Sequence, residues 1–80
     1  MTVTALLFAS YADALGQPQV ELTLPDGTTV AEAVAHLRRF PGGAALPRAP
    51  LVAINLNYAR SDAVLASGDE LAVIPPVAGG

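Results

Sequence analysis

The sequence predicts an α+β domain, a mixed sheet packed on one main helix. Three features carry this: two early segments alternate apolar and polar residues, a capping box opens one amphipathic helix, and the later apolar runs are short and broken by Gly, Pro and Asn. With 80 residues there is room for one core and no second lobe.

Thr2 to Ala9 reads as a first strand, Thr2 and Thr4 alternating with Val3, Ala5 and Leu7 before the pattern dissolves into Leu6 and Phe8. Ser10 to Leu15 follows as a short helical turn, with Ser10 as candidate N-cap and Gly16 as its stop. Gln19 to Leu24 sets Val20, Leu22 and Leu24 against Gln19, Glu21 and Thr23, a strand with one wet face. Pro25-Asp26-Gly27 supplies turn chemistry. Thr29 and Glu32 form a capping box, from which Val30, Ala33, Val34 and Leu37 trace a helical stripe within Val30 to Phe40. Three Pro and two Gly make residues 41–50 a loop. Leu51 to Leu56 is expected as the third strand, with Asn57 as a turn and Tyr58 to Arg60 as a short return. Ala63 to Ser67 suits a brief helical turn, and Gly68-Asp69 turns the chain into a last strand, Leu71 to Ile74. This order, with a single main helix to cover one sheet face, is that of a β-grasp, or ubiquitin-like, roll. Residues 1–75 are expected to form the domain and residues 76–80 a flexible, extended C-terminal tail.

Composition narrows the function. The chain is 52% hydrophobic and 14% charged, the opposite of a disordered composition. Four arginines against seven acids give a net charge of −3, so no basic stripe is available to displace counterions from nucleic acid. No apolar run reaches the length of a membrane span, and the N-terminus lacks the pattern of a secretion signal, so the expected location is cytoplasmic. The absence of Cys removes disulfides, thiolate ligands and thiol nucleophiles together, and no Lys offers a side-chain amine. His36, the only histidine, is expected on the polar helix face, where solvation accounts for it better than ligation; a metal site and a Ser-His triad both lack partners. Gly42-Gly43 lacks the Lys-Ser/Thr continuation of a phosphate loop, and Arg38 and Arg39 suit a solvated helix end.

The C-terminus is the informative segment. Pro75 and Pro76 cannot donate to a ladder and must close the last strand. From Pro76 onward, five residues extend at most about 16 Å. Gly79 and Gly80 have no Cβ, so their backbone can enter a slot too narrow for other residues and leaves the terminal carboxylate sterically open. Small, frayed termini are common; here a stiff Pro pair at the root and a terminal Gly pair argue for a working end.

The segment Pro75-Pro76-Val77-Ala78-Gly79-Gly80, preceded by Ser67-Gly68-Asp69-Glu70-Leu71-Ala72-Val73-Ile74, resembles the C-terminus of the MoaD/ThiS family of ubiquitin-like sulfur carriers. The Leu7-Phe8-Ala9 start, followed by a short helix ending at Gly16, resembles the same family. The Pro-Pro-Val-x-Gly-Gly form favours the MoaD branch, the small subunits of molybdopterin synthase, over the thiamin-pathway branch; carriers for cysteine synthesis or tRNA thiolation share much of the pattern. The resemblance implies that a MoeB-like, E1-type enzyme adenylates Gly80 with ATP and that a sulfur donor enzyme converts it to a thiocarboxylate. The tail, Pro75, Pro76, Val77, Ala78, Gly79 and Gly80, would then enter a MoaE-like large subunit in a heterotetramer and deliver sulfur to a pterin precursor. No cofactor would be held stably by this chain, which would act as a co-substrate, its partner carrying the pocket.

A carrier that meets two partners needs an apolar docking patch. Period two sends Leu6 and Phe8 outward if Val3, Ala5 and Leu7 are core, and Ile74 outward if Leu71 and Val73 are core. Tyr58 has a ring suited to an interface. The expected partner surface is Phe8, Tyr58 and Ile74, with Leu6 beside them, although Phe8 and Ile74 taken singly also suit a core. Two rival functions remain at this stage: a protein modifier joined to target lysines through Gly80, and a plain interaction module.

Overall fold

Alternation decides the sheet. In the computed structural model, which describes residues 1–76, β1 (Thr2–Leu7) buries Val3, Ala5 and Leu7, and β2 (Gln19–Thr23) buries Val20 and Leu22. The two pair antiparallel, Val3 opposite Leu22 and Ala5 opposite Val20, so both apolar sets fall on one face. β3 (Leu51–Ile54), β4 (Asn57–Ala59) and β5 (Glu70–Ile74) complete a five-stranded sheet in the order β2-β1-β5-β3-β4. Only β1 and β5 run parallel, side by side at the centre. Helix α2 (Val30–Leu37) lays Val30, Ala33, Val34 and Leu37 on the buried face, and α1 (Ala9–Leu15) adds Tyr11 and Leu15. The mixed sheet on one main helix agrees with the sequence expectation.

The capping box is formed. The Thr29 hydroxyl accepts from the Glu32 N–H at 3.3 Å, and the Thr29 N–H donates to the Glu32 carboxylate at 3.0 Å. Two further helix-start donors reach the 60s segment: the Val30 N–H meets the Ala63 carbonyl and the Ala31 N–H the Ser61 carbonyl, each at 2.9 Å. These bonds explain why residues 63–67 are not the expected helical turn. Their backbone is drawn against the residues that lead into α2, Val64 bridging Thr29 and the Leu65 N–H donating to the Thr28 carbonyl, and Leu65 is buried.

Other boundaries also move. β1 stops at Leu7 rather than Ala9, and Ser10 is not the N-cap. Phe8 holds that position with an extended backbone and no side-chain cap, its carbonyl accepting from Tyr11 at 3.0 Å. Helix α2 ends at Leu37 rather than Phe40 because its last turn tightens, the Arg39 and Phe40 N–H groups bonding three residues back. The 41–50 segment contains a 3₁₀ turn, Gly43–Ala45, that seats the buried Leu46. A Cβ on Gly42 would overlap the Ala14 carbonyl, and one on Gly43 the Leu37 carbonyl, so only glycine lets this turn press against the ends of both helices. The Arg38 guanidinium is tied here too, its Nε–H donating to the Leu46 carbonyl at 2.8 Å rather than resting as a solvated helix end. His36 is half-buried and meets Phe40 edge-on at 5.8 Å.

The β3–β4 turn falls on Asn55-Leu56, and Asn57, expected to make the turn, opens β4. Both turn residues have positive φ, 50° and 73°, as a two-residue primed hairpin turn requires. Asn55 suits that conformation and is held by its side chain, which donates to Asp69 and accepts from the Glu70 N–H, each at 2.9 Å. Leu56 does not suit it and is 94% exposed, so no burial offsets the strain. Leu56→Gly is therefore expected to raise unfolding free energy by about 1 kcal/mol, read from urea denaturation; an unchanged or lowered midpoint would contradict the strained turn.

Candidate functional site

The sheet face opposite α2 has no element packed on it among the described residues, and the strand register arranges what it carries. Leu6 pairs with Ala72, Ala72 with Ala53, and Ala53 with Tyr58, an apolar row crossing four strands. Toward the C-terminal end of β5, Ile74 pairs with Leu51. Leu7 pairs with Val73, and Phe8 keeps an extended backbone at φ −128° and ψ 151°, so the alternation carries Phe8 to the outer face in register with Ile74. A positive φ of 48° at Ala9 then swings the chain into α1.

The register thus places Leu6, Phe8, Tyr58 and Ile74 on one face. Phe8 is 47% exposed and Tyr58 76%, while Leu6 and Ile74, between other strands, are half-buried. One residue of the patch escaped sequence reasoning: Leu51, 52% exposed and opposite Ile74. The apolar run Leu51-Val52-Ala53-Ile54 reads as buried on both faces, and only its antiparallel pairing with an outward Ile74 identifies Leu51 as outward too.

This patch surrounds the root of the tail. β5 is the central strand, and it runs into half-buried Pro75 and exposed Pro76, with Phe8 and Leu51 flanking Ile74 on either side. Val77, Ala78, Gly79 and Gly80 lie outside the described residues. Nothing beside the patch resembles a catalytic group: no cluster of His, Asp and Glu able to hold a metal occurs among the described residues, and His36 sits on α2. The described residues contain no helix long and apolar enough to cross a membrane. What the arrangement supplies is a partly exposed apolar patch beside the root of the tail.

A mixed five-stranded sheet curled on one helix, its central last strand leading out through two prolines to a Gly-Gly end, defines a carrier-type domain of the ubiquitin-like class. The chain belongs to the ThiS family, whose model matches residues 5–80. It is 33% identical over 79 residues to a molybdopterin synthase sulfur carrier subunit of Arabidopsis thaliana, covering 98% of this chain and 82% of that protein. Its structure is similar to that of small archaeal modifier protein 1 of Haloferax volcanii. The TM-score is 0.85 at 26% identity, over 95% of this chain and 98% of that one. A protein–protein complex of subunits 1 and 2 of the molybdopterin-converting factor from Helicobacter pylori contains the same fold, with a TM-score of 0.72 at 22% identity and full coverage of both chains.

Exposure separates site from core energetically. Leu37, fully buried, should cost about 2–5 kcal/mol when changed to Ala. Phe8→Ala and Tyr58→Ala should each cost less than about 1 kcal/mol, since nearly half of Phe8 and most of Tyr58 are already in water. Urea unfolding of the three variants measures this; a loss at Phe8 equal to that at Leu37 would make Phe8 a core residue.

Proposed function

We propose that this chain is a sulfur-carrier subunit of molybdopterin synthase, with Gly80 as the atom-bearing end. The observation that carries the reading is the match, over 98% of this chain and 82% of that protein, to a molybdopterin synthase sulfur carrier subunit. The geometry supports it, because the last strand delivers its prolines beside an apolar face.

In this reading the Gly80 carboxylate attacks the α-phosphorus of ATP on a MoeB-like activating enzyme, expelling pyrophosphate and leaving an acyl adenylate. Sulfide released by a donor enzyme attacks the acyl carbon and expels AMP, which leaves a thiocarboxylate. Sulfur is the better nucleophile, so the terminus then attacks the pterin precursor within a MoaE-like large subunit, with which this chain would assemble as a heterotetramer in the cytoplasm; water then cleaves the acyl–sulfur bond, leaving sulfur on the pterin and restoring the Gly80 carboxylate. Gly79, Ala78, Val77, Pro76 and Pro75 would fill the partner's channel, while Phe8, Tyr58, Ile74 and Leu6, joined by Leu51, hold the domains together. The chain's own part is positioning, which places a small nucleophile at high effective concentration against its target. ATP is consumed on the activating enzyme.

A second reading has one observation behind it, the likeness to the archaeal modifier. There Gly80 would be joined to target amines, and high-mass conjugates that disappear on deleting Gly80 would reveal it.

The deciding experiment incubates the full chain with a MoeB-type enzyme, ATP and a sulfur donor, then adds a MoaE-type subunit and the pterin precursor. The expected result is an intact-mass gain equal to sulfur minus oxygen, followed by pterin conversion. A chain carrying one extra alanine after Gly80 should lose at least about 100-fold in conversion, because the reacting atom is displaced by a residue's length. Undiminished conversion by that extended chain, with the alanine retained, would overturn the assignment of Gly80.

A further inference from the structure

The outer sheet face is divided by charge as well as by polarity. At its tail end lie Phe8, Ile74 and Leu51; at its other end the register brackets Thr4 between Glu21 on β2 and Glu70 on β5. Both glutamates are exposed and share the outer face, since each stands next to a buried residue of the same strand, Val20 and Leu22 beside Glu21, Leu71 beside Glu70. Neither carboxylate has an ion pair or a hydrogen bond among the described residues. Asp69, their neighbour, is already used: its two oxygens accept from the Asn55 amide and the Ala66 N–H.

No arginine shares this face. Arg38 and Arg48 border a hollow against Ala31 and Ala35 of α2, Arg60 borders another beside Thr29 and Ala31, and Arg39 lies two residues past the end of α2. The terminal amine donates to the Leu24 carbonyl at 2.8 Å and lies 3.6 Å from Asp26. The docking face therefore carries two free negative charges and no positive one, while the cations gather on the helix side.

We infer that the protein receiving the tail presents a pair or row of cationic side chains to Glu21 and Glu70, set behind its apolar contact by about 13 Å, the four-residue rise from Glu70 to Ile74. This rests on the docking-face reading above and deepens it: the apolar end holds the complex, and the acidic end orients the approach. The two like charges stand on the strands either side of β1, about 10 Å apart, close enough to add to one negative field, and a basic partner rim complements that field on contact. Separating the functions in space predicts that they separate in kinetics, charge acting on association and the apolar patch on dissociation.

The test measures association and dissociation rates of the full chain with a purified MoaE-type large subunit by stopped-flow, at low and at near-molar salt. The unaltered chain should associate roughly 10-fold more slowly at high salt. E21R/E70R should associate roughly 10-fold more slowly at low salt, lose or reverse the salt dependence, and dissociate at a rate little changed. E21Q/E70Q, of the same shape, should fall between, which guards against misfolding of the reversed variant. Ile74→Ala should instead dissociate faster with its salt dependence intact. Salt-independent association of the unaltered chain, or unaltered association of both glutamate variants while Ile74→Ala dissociates faster, would overturn the charged rim and leave the docking face standing. No effect from any of the variants would overturn both.

Discussion

The parallel pairing of β1 and β5 at the centre of the sheet is the constraint on which the rest depends. Parallel neighbours cannot be joined by a tight turn, so the chain between them must form a crossover, and here it builds both helices, β2, β3 and β4 before β5 is laid down. Because the two strands point the same way, their C-terminal ends coincide. Phe8 at the end of β1 and Ile74 at the end of β5 are thereby neighbours, although 66 positions separate them in the sequence. The tail's root lies at the middle of the sheet, with exposed surface on both sides of β5.

The second requirement is that the crossover be held without a long helix. An eight-residue α2 has half its backbone donors and acceptors at its ends, and the fold answers both ends with specific groups. Thr29 and Glu32 serve the start together with the carbonyls of Ser61 and Ala63. At the far end the 3₁₀ turn packs its bare glycine backbone against the last carbonyls, and Arg38 reaches across to Leu46. These contacts fasten one face of the sheet firmly enough that the other can be left bare.

How much of this could be read from sequence follows from the range of the forces involved. Strands β1 and β2 and helix α2 were legible because alternation and the Thr29 capping box act within a few residues. Residues 63–67 were misread because their conformation is set by hydrogen bonds to Thr28 and Val30, more than 30 positions away. The hairpin turn was displaced because the side chain of Asn55 is locked by Asp69, in the turn before β5, and by Glu70 at the start of β5. For the same reason the outward placement of Phe8, Ile74 and Leu6 could be argued from period two within their own strands, whereas Leu51, in an unbroken apolar run, needed its partner strand. The glutamates on the outer face were visible as polar positions of strands; their isolation from every arginine is a property of the folded surface alone.

A tail ending in two glycines offers a partner backbone and a carboxylate but almost no side-chain surface, and in the proposed role this has an energetic consequence. Ordering a glycine-rich segment in a channel costs more conformational entropy per residue than ordering any other, with little apolar area gained in return. Binding strength must then be supplied by the domain, where a few half-exposed apolar residues around Ile74 can act as anchors while neighbouring contacts exclude water. The patch and the tail are in this sense one device: the patch provides affinity without chemistry, and the tail provides chemistry without affinity. A small domain with no cysteine, no lysine and one histidine is suited to that division, because its own side chains offer few nucleophiles to intercept an activated terminus.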